Sequence, residues 1–88
     1  MDNKEIIKKV NEVFAESFEI EQEDLQPEKN IFEDLGLDSL DVVDLVVALQ
    51  KKFGVKIRDD NRVRDIRVLK DIYKYIEALY QEGAFENS

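Results

Sequence analysis

Residues 34–41 have the sequence DLGLDSLD and mark the change from an irregular segment to a helix. Asp38 stands immediately before a stretch of helical periodicity, where its carboxylate can accept hydrogen bonds from the free backbone N–H groups of the first turn. Asp41 falls at the third helical position, where negative charge suits the positive end of the helix dipole. Gly36 allows a sharp turn just before the helix. These features place Ser39 at the very start of a helix, next to solvent.

The helix that starts at Ser39 is predicted to end at Phe53, with Gly54 as its stop. At 100° per residue, this helix carries two apolar stripes. The first stripe should face the core and consists of Val42, Leu45, Val46, Leu49 and Phe53. The second stripe, hereafter the apolar strip, lies beside Asp44 and consists of Leu40, Val43 and Val47. It either packs inside or forms an exposed docking surface edged with carboxylates, and we favour the docking surface.

The N-terminal part of the chain combines one helix with one long loop. An amphipathic helix is predicted to begin at Asp2 or Asn3 and to end at Phe18. Its apolar residues fall on one arc: Ile6, Ile7, Val10, Val13, Phe14 and Phe18. Residues 19–37 break the helical pattern and contain Pro27 and Gly36, so they should form a loop with a short turn near Ile31. Its apolar residues should tuck under the domain: Ile20, Leu25, Ile31, Phe32 and Leu35.

The C-terminal part is also helical by periodicity. A short helix or turn is predicted over residues 59–65, and a last helix over residues 68–81. One face of the last helix carries Val68, Leu69, Ile72, Tyr73, Ile76, Leu79 and Tyr80. The predicted fold is all-α: a small four-helix bundle of three long helices and one short helix, with a long first loop. Residues 1–83 should form the single domain, and residues 84–88 a flexible C-terminal tail.

Composition restricts the function further. The 88 residues carry a net charge of −8 and include no Cys and no His. The charge should repel nucleic acid and anionic membrane surfaces, so natural partners should present basic faces. Without His or Cys, the commonest base, metal ligand and thiol nucleophile are missing, and Ser39 is a better acceptor of modification than a catalytic nucleophile. The longest apolar run, residues 45–49, is too short for a membrane span or a secretory signal, which indicates a cytoplasmic protein.

The segment Gly36-Leu37-Asp38-Ser39-Leu40-Asp41 resembles the phosphopantetheine attachment motif of acyl carrier proteins. The resemblance continues through Val43, Asp44, Leu45, Ala48, Leu49 and Phe53 and extends over roughly residues 6–80. It implies that Ser39 Oγ bears 4′-phosphopantetheine, transferred from coenzyme A by a Mg²⁺-dependent phosphopantetheinyl transferase. The terminal thiol of this arm would hold acyl chains as thioesters. The protein would then be a carrier phosphoprotein and not an enzyme.

The resemblance also implies partners. They are the transferase and the acyl-transfer and elongation enzymes of fatty-acid or related lipid biosynthesis, which present basic docking faces to a monomeric carrier. The bundle interior of such carriers can open to shelter the acyl chain. The expected docking residues here are Leu40, Asp41, Val43, Asp44 and Val47.

One feature departs from this pattern. Residues 19–44 contain ten acidic residues and one basic residue, whereas residues 51–70 contain eight basic and three acidic residues. Fatty-acid carriers are acidic in the second region too. The basic charge is either neutralised by local ion pairs or part of a partner surface that differs from that of fatty-acid carriers. The local ion pairs would join Arg62 or Arg64 to Asp59, Asp60 or Asp65. The alternatives are therefore a specialised lipid, polyketide or aminoacyl carrier and, from another class, a non-carrier helical interaction domain in which Asp38 and Ser39 only cap a helix. A dedicated calcium site is disfavoured, because no EF-hand spacing is present.

Overall fold

A computed structural model describes residues 2–57 and 61–83 of the chain. Over these residues the structure is all-helical and contains no strand. Helix α1 spans Asn3–Phe18, α2 spans Ser39–Phe53 and α3 spans Leu69–Gln81. Two 3₁₀ helices span Gln22–Asp24 and Asn61–Asp65. The all-α prediction is confirmed, and α1 and α2 have the bounds that the periodicity predicts.

The predicted short helix takes the form of the 3₁₀ helix Asn61–Asp65. Within the described residues the fold is therefore three α-helices with 3₁₀ connections, and not a bundle of four α-helices. This 3₁₀ helix has five residues and serves as a connector between α2 and α3, a common use of 3₁₀ structure. The start of this prediction, at residues 59 and 60, lies outside the described residues, as does the predicted tail 84–88.

Local hydrogen bonds set where each helix begins and ends. The Asp2 carboxylate accepts from the Glu5 N–H at 2.8 Å at the start of α1. Gly54 ends α2 with a left-handed φ of 64°, as the sequence predicts. The third α-helix starts one residue later than predicted, because Val68 is extended and the Asp71 carboxylate accepts from the Arg67 and Val68 N–H groups at 3.0 and 3.2 Å.

The core lies where α1 packs against both α2 and α3. Its buried residues are Ile6, Val10, Val13, Phe14, Leu25, Ile31, Leu37, Leu45, Leu49, Phe53, Val55, Ile57, Ile66, Leu69, Ile72, Tyr73, Tyr75, Ile76 and Leu79. The predicted core stripes also contain three residues that are partly buried against this core, Phe18, Val42 and Val46. The loop residues Ile20, Phe32 and Leu35 are partly buried against it too. The predicted core stripes and the tucked loop residues are confirmed with few exceptions.

The exceptions lie at the edges of the stripes. The periodicity places Ile7 on the core arc of α1, but Ile7 is 37% exposed, because it lines an open groove with Tyr73 and Lys74 of α3. The periodicity likewise places Tyr80 on the core face of α3, but Tyr80 is 38% exposed. Tyr75, which the stripe omits, is buried, and the Arg62 guanidinium lies 5.3 Å from its ring centroid.

Polar contacts add to the helix packing at two places. The Tyr73 hydroxyl donates to Asn11 Oδ1 at 2.7 Å and so joins α3 to α1. Burial raises the pKa of Tyr73, so this hydroxyl keeps its proton and remains a donor. The Lys52 ammonium lies 2.9 Å from Glu12 and 3.5 Å from Glu16, and so joins α2 to α1.

The first loop is tied to the start of α3 by backbone hydrogen bonds. The Ile31 N–H donates to the Arg67 carbonyl at 2.9 Å, next to an isolated β-bridge between Asn30 and Val68. In return, the Leu69 N–H donates to the Lys29 carbonyl at 3.1 Å. A helix start has free N–H groups that need acceptors. The loop supplies two of them, because the Lys70 N–H also donates to the Pro27 carbonyl at 3.0 Å, and its course past α3 is thereby fixed.

Candidate functional site

The start of α2 is closed by a reciprocal pair of side-chain caps. Asp38 Oδ1 accepts from the Asp41 N–H at 2.9 Å, and Asp41 Oδ2 accepts from the Asp38 N–H at 3.1 Å. The backbone of Asp38 is extended, as a residue that precedes a helix should be. This is a capping box, in which both carboxylates are held against the backbone. The predicted cap is confirmed, and the return bond from Asp41 is an addition that its position three residues on could have indicated.

Ser39 is the first residue of α2 and is exposed. It follows the cap directly, so its position relative to the helix axis is fixed by the capping box. Within the described part of the chain, the amides of Ser39 and Leu40 have no acceptor, and they belong to the positive end of the helix dipole. The chain contains no His and no Cys, and His is the base that most often activates a serine nucleophile.

The residues before Ser39 are held by the first loop. Leu37 is buried, and its N–H donates to the Ile31 carbonyl at 2.9 Å. Gly36 makes the turn with a φ of 77°, a conformation that costs other residues more than glycine. Because Ile31 is itself bonded to Arg67, the start of α2 is connected through two backbone hydrogen bonds to the start of α3.

Side chains stabilise the turn that contains Ile31. Asn30 Oδ1 accepts from the Phe32 and Glu33 N–H groups at 2.8 and 2.9 Å. Asp34 Oδ2 accepts from the Asn30 N–H at 2.8 Å. The predicted turn near Ile31 is present, and these bonds make it the anchor of the segment that leads to Ser39.

The two apolar stripes of α2 are separated as predicted. Leu45 and Leu49 are each 2% exposed, whereas Leu40 is 77%, Val43 60% and Val47 43% exposed. The apolar strip therefore faces solvent and runs along α2 from the residue next to Ser39. Three exposed aliphatic side chains in line on one helix differ from the scattered single residues that are ordinary on a protein surface.

Carboxylates flank Ser39 and the strip. Asp38 and Asp44 are exposed, and Asp41 is half-buried. Further acidic charge lies in the first loop, where the pKa of Glu21 is raised by its hydrogen bond with Glu23 and by the charge of Asp24. Despite this acidity, residues 2–57 and 61–83 contain no group of three or more acidic residues that could hold a metal ion.

Much of the basic charge in residues 51–70 is bound within the structure. The Arg62 guanidinium contacts both Glu82 oxygens, at 2.6 and 3.1 Å. The Arg67 guanidinium donates to the carbonyls of Arg64 and Ile66 at 2.6 and 2.9 Å. The expected acidic partners Asp59 and Asp60 lie outside the described residues. Sequence reasoning missed Glu82 because it is 20 residues from Arg62 and no local pattern connects the two.

None of the helices in the described chain has the length and apolar content needed to cross a bilayer.

Comparison with known proteins gives a consistent result. The family model described as a phosphopantetheine attachment site matches residues 8–76. The chain is 43% identical over 68 residues to an acyl carrier protein of Syntrophobacter fumaroxidans, and the aligned residues cover 77% of this chain and 83% of the relative. It is 42% identical over 69 residues to an acyl carrier protein of Helicobacter hepaticus, with 78% and 90% covered. It is 41% identical over 75 residues to that of Campylobacter hominis, with 85% and 94% covered.

Proposed function

Because the chain belongs to the acyl carrier protein family and carries acyl groups on a covalent 4′-phosphopantetheine arm, we propose that Ser39 bears that arm. The observation that carries the proposal is the exposed Ser39 at the first position of α2, directly after the capping box of Asp38 and Asp41. The hydroxyl is accessible to a modifying enzyme, and its position is held by the helix start and by the loop behind it.

The residues around Ser39 fit a phosphodiester. The Ser39 and Leu40 amides at the helix start favour a nearby anion. Asp38 and Asp41 oppose it, but each has one carboxylate oxygen engaged by a backbone N–H, and the exposed site lets the phosphate turn toward solvent. When attached, the arm supplies a terminal thiol that holds the acyl group as a thioester. Ser39 Oγ would be the atom that the phosphodiester joins to the chain, and the residues around it would orient the attached end of the arm and present it to partner enzymes.

Loading of the arm tests the proposal. The protein is incubated with coenzyme A, Mg²⁺ and a phosphopantetheinyl transferase, and the product is analysed by intact and peptide mass spectrometry. One phosphopantetheine should be added, on the peptide that contains Ser39. Ser39→Ala should take none, whereas Ser17→Ala, at an exposed serine of α1, should load normally. Modification at another residue, or none with several transferases, would show that the assignment is wrong.

We also propose that the apolar strip and the carboxylates beside it dock the partner enzymes. Leu40, Val43 and Val47 supply apolar contact, and Asp41 and Asp44 supply charge for a basic enzyme face. The partners are the phosphopantetheinyl transferase and acyl-transfer and elongation enzymes of fatty-acid or related lipid synthesis. In this proposal the carrier works as a cytoplasmic monomer, and sedimentation equilibrium should give the mass of one chain.

A specialised lipid, polyketide or aminoacyl pathway is the second candidate. The observation in its favour is the excess of basic residues over residues 51–70, which gives this carrier two regions of opposite charge. A paired assay separates the two candidates: a specialised carrier should load its arm normally and serve fatty-acid elongation enzymes poorly. Equal service to those enzymes would favour the fatty-acid pathway. The non-carrier interaction domain is set aside by the family membership.

A further inference from the structure

Lys51 extends the apolar strip at the end of α2. It lies four residues after Val47 and seven after Asp44, so the three side chains stand in one row along the helix. With a rise of about 1.5 Å per residue, Lys51 is about 10 Å from Asp44 and about 16 Å from Leu40 along the axis. The exposed face of α2 thus carries the apolar strip from Leu40 to Val47, with Asp44 inside it and the cation Lys51 at its far end.

Lys51 differs from its basic neighbours because its charge is available. Lys52, the next residue, bridges to Glu12 and Glu16 of α1, although both lysines line the groove between α2 and α1. Arg62 and Arg67 are bound to a carboxylate and to backbone carbonyls. Lys51 is exposed and forms no ion pair with any residue of 2–57 and 61–83. A partner can therefore reach this ammonium group without breaking an existing contact.

The helix dipole does not account for this placement. A positive charge anywhere in the last turn stabilises the end of a helix, and Lys52 already supplies one there. Both lysines stabilise the helix end in this way, but that effect does not require either of them to lie in the row of Leu40, Asp44 and Val47.

We propose that the exposed face of α2 selects acyl-transfer enzymes by mixed charge. The enzyme that fits presents a cation near the start of α2, an apolar socket over the strip, and a carboxylate opposite Lys51. An enzyme whose face is basic throughout places a cation against Lys51 and is disfavoured by like charge. This inference rests on the proposed function, because it needs Ser39 to carry the cargo beside the strip.

A second copy of this chain is a weaker occupant. Two antiparallel α2 helices could pair Asp44 with Lys51 in both directions. However, a stable dimer buries about 800 Å² per partner, and three aliphatic side chains and two charges supply much less. Such a dimer would also cover the surface beside Ser39 from which the arm must reach an enzyme.

Charge reversal at Lys51 tests the inference. The probe is a purified fatty-acid condensing enzyme with a basic docking face, assayed with the acyl-loaded carrier. Lys51→Glu should raise kcat/KM about three- to tenfold, since it replaces a repulsive exposed pair by an attractive one. Lys51→Gln should give an intermediate value. Lys8→Glu, at an exposed position of α1, makes the same change in net charge and should stay within about twofold of the wild type. The gain should disappear in about 0.5 M salt.

The other outcomes overturn the inference. A Lys51→Glu carrier that is no better than the wild type removes the selective role of Lys51. An equal gain from Lys8→Glu shows that net charge, and not position, matters. A wild-type dimer that Lys51→Glu dissociates assigns the surface to a second copy. Arm loading of every variant is measured separately by mass, so a failure of Ser39 itself is recognised before the condensing enzyme is added.

Discussion

Truncation of one side chain on each stripe of α2 should separate stability from docking. Leu49 lies on the buried stripe and is 2% exposed, whereas Val43 lies on the apolar strip and is 60% exposed. Leu49→Ala removes methyl groups from a packed core, and Val43→Ala removes them mainly from solvent. The two substitutions therefore alter different properties of the same helix.

The magnitudes follow from burial. Leu49→Ala should lower the free energy of unfolding by about 3 kcal/mol, within the range of roughly 2–5 kcal/mol for buried leucines. At 4–8 °C per kcal/mol for a domain of this size, the melting temperature should fall by about 12–24 °C. Val43→Ala should change the free energy of unfolding by less than about 0.5 kcal/mol, because little area leaves the core and alanine has the higher helix propensity.

Two assays on the same preparations give the comparison. Urea unfolding at about 15 °C, near the usual stability maximum, keeps Leu49→Ala folded at zero denaturant. Transferase kinetics at the same temperature should show kcat/KM for Val43→Ala reduced about two- to fivefold, as expected for the loss of a small apolar contact. Leu49→Ala, where folded, should be loaded at nearly the wild-type rate.

Equal destabilisation by the two substitutions would refute the reasoning, because it would mean that Val43 is packed in the core. Unchanged kinetics of Val43→Ala with the transferase and with an elongation enzyme would remove the docking role of the strip. The two results are independent, so each part of the interpretation can fail alone.

Three further predictions concern charged residues. Asp38→Ala should lower the free energy of unfolding by about 0.5–2 kcal/mol in urea, because α2 loses its cap, whereas Asp38→Asn should retain most of it. The Lys52 ammonium holds the pKa of Glu12 below its ordinary value of 4.5, so the pair stabilises the fold above that pH and loses its effect as pH falls through the lowered pKa. The difference in free energy of unfolding between wild type and Glu12→Gln should therefore be present at pH 7 and vanish toward pH 3. A difference that stays constant with pH would contradict this. Asp44→Lys should slow arm loading about three- to tenfold at low salt and reduce its salt dependence, and unchanged kinetics would mean that Asp44 does not contact the transferase.

The elements that depend on local interactions could be predicted from the sequence. Helix periodicity, the Asp38 cap and the Gly54 stop are decided by residues within about four positions of one another, and all three appear in the structure as predicted. The exposed strip could also be predicted, since a helix in a small domain has only one side against the core. The site around Ser39 was accessible to sequence reasoning for the same reason: its cap and its turn are local.

The tertiary structure decided the contacts between distant residues. The burial of Tyr75 and the exposure of Ile7 and Tyr80 depend on which neighbouring element covers each helix edge, and periodicity carries no such information. The hydrogen bond between Ile31 and Arg67, which connects the loop behind Ser39 to α3, joins residues far apart in sequence.

The same holds for the two adjacent lysines at the end of α2. In the sequence they are equivalent cations in the last turn of a helix. A step of 100° turns Lys52 toward Glu12 and Glu16 of α1 and leaves Lys51 in the exposed row of the strip. The sequence by itself determined the helix, its cap and its two stripes, because these arise from short-range geometry. Only the packing of α1 against α2 decided which positive charge stabilises the fold and which remains available to a partner.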